Sequence, residues 1–187
     1  MGIKQTLDVI NAMEAAGVVG RYAIAGAVAA FNYIEPAVTK DLDLLVSLDK
    51  AKGSPSSGLI SLGPIIEHLK NLGYSEFTDG GVVVAGWPIQ FLPVSDDLDA
   101  EALQSAETID LKTSDGLVKT RVLRAEHLVA ISLRVGRPKD INRIVDFLEG
   151  GAVDLTRLAG VLERHRLGDA WIRFCSRTGM KDVLHLS

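Results

Sequence analysis

Apolar side chains recur every three to four positions at Ile3, Leu7, Ile10 and Met13, a spacing that predicts an amphipathic helix stopped by Gly17. The short apolar run Tyr22-Ala23-Ile24-Ala25 ends in Gly26 and predicts a buried strand. The run Ala27-Val28-Ala29-Ala30-Phe31-Asn32-Tyr33, which stops before Pro36, predicts a helix. A second strand is expected over Asp41–Ser47, its apolar end buried on both faces and its two aspartates left at the mouth. The segment from Lys50 to Ser57 has the composition of a loop. A helix from Pro64 to Leu72 follows, with Ile65, Ile66, Leu69 and Leu72 as its apolar stripe.

Two short strands, Val82–Ala85 and Pro88–Leu92, form an expected hairpin turning at Gly86-Trp87. The acidic stretch Asp96–Glu101 predicts a short helix, and Thr108–Leu123 a second hairpin around Ser114-Asp115-Gly116. From Ala125 the spacing turns helical: 125–135 stopped by Gly136, then Pro138–Leu148, then 153–165 and 168–177. This order predicts an α/β (α+β) chain: a mixed sheet flanked by helices over residues 1–124, and a C-terminal helical bundle over 125–187 packed on it.

Composition sets wide bounds. With 187 residues, 47% hydrophobic and 24% charged, the chain can bury a real core without staples. The single Cys175 forms no internal disulfide and fits a reducing compartment. Polar residues interrupt each apolar run near Met1, and no apolar run reaches the roughly 18 residues of a membrane span, so a cytoplasmic location and no membrane contact are expected. A formal charge of −4 gives no broad attraction to nucleic acid, although residues 151–187 carry 6 basic and 4 acidic side chains against 14 and 20 before them. His68, His127, His165 and His185 lack zinc-ligand spacing.

The candidate chemistry lies at Thr39-Lys40-Asp41-Leu42-Asp43. Side chains alternate along a strand, so Asp41 and Asp43 share one face while Leu42 and Leu44 take the other. Two neighbouring carboxylates repel unless a cation lies between them, and oxygen donors of this kind suit Mg²⁺, or Mn²⁺, with positions left for water and substrate phosphate. Upstream, a strand meets a helix at Gly26-Ala27, where a bare backbone can approach phosphate and helical N–H groups favour anions.

Strand, glycine turn, helix, then a strand bearing Asp-x-Asp: in this order the features resemble the nucleotidyltransferase superfamily. A third segment, Arg124-Ala125-Glu126-His127-Leu128-Val129-Ala130 running into Gly136-Arg137-Pro138-Lys139-Asp140, is similar to the later helices of its branch that includes AbiEii-type toxins of toxin–antitoxin systems. The resemblance implies transfer of a nucleoside monophosphate from an NTP to a hydroxyl of RNA, protein or a small molecule, and an antitoxin as a partner. It implies a metal at Asp41 and Asp43, and nucleotide contacts from Gly26, Ala27, Arg134, Lys139 and Asp140. Three positions depart from the family pattern: Ala27 replaces a second Gly or a Ser, Gln90 stands where many relatives carry a third carboxylate, and Ser132 where a lysine is often found. A catalytically degenerate nucleotide-binding or protein-interaction module is therefore the alternative.

Overall fold

The computed structural model describes residues 2–36, 38–48 and 61–185. The loop expected at 50–57 lies outside the described residues. Two compact units emerge, one of residues 1–29 with 36–123 and one of 30–35 with 124–187.

The first unit is built on a seven-stranded mixed sheet. Helix α1 (Ile3–Ala15) buries Thr6, Leu7, Ile10 and Met13, the stripe that its spacing foretells. Strand β1 (Tyr22–Ile24), the short helix α2 (Gly26–Ala30) and β2 (Leu42–Val46) follow, then α3 (Gly63–Asn71) with Pro64 in its first turn. Next come β3 (Phe77–Thr78), β4 (Gly81–Val84), β5 (Trp87–Pro93), α4 (Asp97–Gln104), β6 (Glu107–Thr113) and β7 (Gly116–Val122). The strand order is β3-β4-β5-β2-β1-β7-β6.

The central strands β1 and β2 run antiparallel, with Ile24 beside Leu44, while β2 runs parallel to β5 and β1 parallel to β7. Ile24, Leu42, Leu44 and Val46 are fully buried on one face of these strands, and Ala23 and Leu45 are buried on the other, where Asp43 stays half-exposed. Asp96 caps α4 by accepting the Asp99 N–H at 2.9 Å. Between α1 and the sheet, the Tyr22 hydroxyl donates to Asn11 Oδ1 (2.6 Å) and meets Thr120 Oγ1 at 3.1 Å. Arg121 donates through Nε to the Tyr22 carbonyl (2.7 Å) and pairs with Glu14. That pairing ties three elements together around one buried ring.

Some details differ from the sequence expectation. Leu72, expected on the apolar stripe of α3, follows the last helical residue and is 52% exposed, so Ile65 and Leu69 carry the buried side of that helix. Helix α2 ends at Ala30 rather than at Tyr33, because Phe31–Tyr33 turn away. The β4–β5 turn is Ala85-Gly86, and Trp87 already belongs to β5. Both turn residues have positive φ, 50° and 89°, the conformation that makes the tight reversal. The two-residue strand β3 was not expected, since Phe77-Thr78 is too short for an alternation signal and both residues are exposed.

The second unit holds α5 (Ala125–Val135), α6 (Pro138–Glu149), α7 (Leu155–Arg164) and α8 (Gly168–Thr178). Gly136 ends α5 in the left-handed conformation, φ 69°, and its N–H bonds the Ser132 carbonyl. The core of this unit includes Ile144, Phe147, Leu158, Leu162 and Trp171, and the Tyr33 ring stands 6.1 Å from that of Phe147. Glu126 is buried and accepts the Asp154 N–H at 3.1 Å, which fixes the entry to α7.

Candidate functional site

Strand alternation sets the geometry of β2. Leu42 and Leu44 are fully buried, whereas Asp43 and the preceding Asp41 are half-exposed on the other face. The backbone ladder continues past β1, because the Ala25 N–H donates to the Asp43 carbonyl at 2.8 Å. This bond brings the strand-to-helix turn at Gly26 directly beside Asp43.

At that turn Gly26 has φ 58°, and a Cβ placed there would overlap the Asp43 carboxylate and lie 2.8 Å from its Cγ. Glycine is therefore required twice, by the backbone conformation and by the close approach of a charged side chain. Ala27 follows, half-exposed in the first turn of α2. The first N–H groups of a helix have no acceptor within it, so they present donors to whatever sits at the turn.

Asp41 is held from two sides. The Thr39 hydroxyl lies 3.1 Å from Asp41 Oδ1 and donates toward it, with the Asp41 carbonyl 3.2 Å away. On the other side the backbone at Gly80 approaches closely, since a Cβ there would stand 3.2 Å from the Asp41 Cβ and 3.2 Å from that of Pro88. From the sequence, Thr39 is named only as the start of the segment carrying the aspartates, with no role of its own, and Gly80 is not named. Only the triplet Asp79-Gly80-Gly81, a turn composition, hinted at a backbone that crowds a neighbour.

Parallel pairing of β2 with β5 sets Leu42 beside Ile89 and Asp43 beside Gln90. Residues in register on adjacent strands share a face. Gln90 is exposed, so its amide occupies the neighbouring position to the Asp43 carboxylate at the same sheet surface. No group of three or more His, Cys, Asp or Glu that could hold a metal occurs among the described residues. The donor set here is two carboxylates and one neutral amide. Two half-exposed carboxylates fit a hard cation that retains waters and substrate oxygens, as Mg²⁺ does.

The remaining residues named from the sequence belong to the helical unit. Arg134 is exposed near the end of α5, and Lys139 is exposed in the first turn of α6. Asp140 is buried, with Arg137 Nε at 2.7 Å and Arg143 Nη1 at 3.8 Å from its carboxylate oxygens. Ser132 is buried on α5. Cys175 is also buried, and burial together with the charge of Asp182 raises its thiol pKa.

A mixed sheet with helices, a glycine turn against a strand carrying Asp-x-Asp, and a cluster of oxygen donors at the strand mouth define the class: an α/β fold with a candidate cation and phosphate site. Among solved structures, the chain is similar to an antigenic nucleotidyltransferase-like protein from Paracoccidioides brasiliensis, with a TM-score of 0.48 and 17% identity over 90% of this chain and 91% of that one. No family model matches the chain, and no curated protein matches it. No described helix is long and apolar enough to cross a membrane.

Proposed function

We propose that this protein binds a nucleoside triphosphate with Mg²⁺ or Mn²⁺ at Asp41 and Asp43 and transfers its nucleoside monophosphate to an acceptor hydroxyl, with pyrophosphate leaving. The observation that carries this reading is the packing of Gly26 against the Asp43 carboxylate. It sets a bare backbone turn, suited to phosphate, next to carboxylates suited to a cation. In such transfers the cation neutralises charge on the phosphate oxygens.

The chain's own residues supply position. Thr39 orients the Asp41 carboxylate, and the N–H groups at Gly26 and Ala27, beside the Asp43 carboxylate, offer donors to phosphate. Gln90 can hydrogen-bond an acceptor but cannot take its proton, so that proton leaves to solvent. An acceptor on RNA, protein or a small molecule and an antitoxin-type partner belong to the same proposal.

The Gln90 amide favours a second reading, a module that binds nucleotide without transferring it, because a general base normally contributes about 10² to 10⁴ in rate. One assay separates the two. The protein is incubated with each α-labelled NTP, Mg²⁺ or Mn²⁺, and total RNA and protein, and both acceptor labelling and pyrophosphate are measured. Labelling that disappears in Asp41→Asn and Asp43→Asn supports transfer. Nucleotide retention without pyrophosphate supports the module, and labelling that persists in both variants removes the metal site from this account.

A further inference from the structure

The sheet ends on β6, and no described strand pairs with its outer side. An open edge presents unpaired N–H and C=O groups that invite another strand. β6 is seven residues long and in full register with β7, from Glu107 beside Val122 to Thr113 beside Gly116. The Thr113 hydroxyl donates to the Gly116 carbonyl at 2.7 Å and closes the hairpin, so the edge is a regular strand to its last residue. The opposite edge, β3, has only two residues.

The side chains of β6 are sorted between its faces. Ile109 and Leu111 share a face with Thr120 and Val118, their register partners, and those two are buried. This is the face on which Tyr22 and Asn11 of α1 meet Thr120. Ile109 and Leu111 are the half-exposed rim of that apolar layer. Asp110 and Lys112 lie on the other face, both exposed, beside Lys119 and Leu117. Asp110 Oδ1 is 4.0 Å from Lys119 Nζ, with 66% and 74% of the two side chains exposed, so this pair leaves Asp110 accessible from the open side.

We infer that β6 is a homodimer edge: two copies pair antiparallel about a twofold axis through Leu111. Opposite residues in an antiparallel pair share a face. With the axis at Leu111, Leu111 meets Leu111 of the second copy and Ile109 meets its Thr113, which continues the apolar rim. On the other face Asp110 meets Lys112 of the second copy, and the reverse pair forms by symmetry. Two opposite-charge pairs thus close the ribbon, and the charges form a row from Lys119 through Asp110 to Lys112 of the second copy. Moving the axis one residue to Asp110 sets that carboxylate against itself, and moving it to Lys112 sets two ammonium groups together. Of these three registers, only the one centred on Leu111 sets opposite charges across from each other within the strand. The five residues from Ile109 to Thr113 pair, a small interface that implies a reversible dimer.

Sedimentation equilibrium of the full chain from about 1 μM to 1 mM, at low and high salt, tests this. A concentration-dependent dimer weakened by salt is expected. Asp110→Lys and Lys112→Asp each create like-charge pairs and are expected to weaken the dimer about tenfold or more. An equimolar mixture of the two variants restores both attractive pairs and is expected to dimerise as the natural chain does. Both positions are exposed, and circular dichroism checks that the variants fold; Asp110→Asn and Lys112→Gln serve as milder substitutions. A natural chain that stays monomeric throughout, single variants that dimerise normally, or a mixture that stays monomeric would each overturn the inference.

Discussion

At the smallest scale, Gly26 is held in place by close approach: it combines a positive φ with a Cβ position already filled by the Asp43 carboxylate. Gly26→Ala is therefore expected to destabilise the fold by about 1 to 3 kcal/mol and to displace Asp43, measured by urea denaturation alongside nucleotide binding. Tyr22 gives a second test. Burial raises its phenol pKa above the usual 10.0, against the lowering effects of the Thr120 hydrogen bond and the Arg121 charge. The folded state thus favours the neutral phenol. This stabilising contribution is complete below pH 10.0 and is lost as the pH rises through the higher folded value. Stability is expected to fall above pH 10.0 in the natural chain and to fall less in Tyr22→Phe, measured by denaturation at several alkaline pH values. Gly26 was legible in the sequence, because a glycine set between an apolar run and a helical run marks a sharp turn from strand into helix. Thr39 and Gly80 were not, since their roles depend on contacts that no local pattern encodes.

At the scale of elements, register decides what the site contains. Alternation along 41–44 was legible because two buried leucines bracket an aspartate, and the structure buries them both. The neighbour of Asp43 was less so, since strand pairing between β2 and β5 spans more than forty residues of chain and leaves no periodic trace. Gln90 could be named only by resemblance, and the parallel pairing now sets it beside Asp43. If the missing base limits transfer, Gln90→Glu is expected to raise labelling of the acceptor about 10²-fold or more, read from initial rates at saturating NTP. A variant that binds nucleotide as before but transfers no faster would favour the non-transferring module. The short elements escaped for a different reason. β3 has two exposed residues, and the end of α2 at Ala30 is set by Phe31–Tyr33 turning away, which helix propensity alone does not register.

Over the whole molecule, the chain crosses between its two units more than once. The helical character of residues after Ala125 was plain from spacing, but residues 30–35, far upstream, belong to the same unit. One contact within that unit is aromatic, Tyr33 against the fully buried Phe147, and a single tyrosine in a loop gives no sign of it in sequence. Phe147→Ala is expected to cost about 3 to 5 kcal/mol in the helical unit. The two tryptophans fall one in each unit, Trp87 on β5 and Trp171 on α8, so a Trp87→Phe background lets fluorescence follow the helical unit by itself. The expected result is a lower denaturation midpoint at Trp171 in the Phe147→Ala variant. An unchanged midpoint would remove this ring from the unit's core.

Calorimetric titration of a non-hydrolysable NTP analogue into the natural chain, with and without Mg²⁺, repeated for Asp41→Asn and Asp43→Asn, tests cation-dependent nucleotide binding at the two aspartates. Binding that requires the cation, at one site per chain, and that weakens by about tenfold or more in each variant is the predicted result. Equal affinity in the natural chain and both variants, or no binding of any analogue in the presence of Mg²⁺, would contradict it.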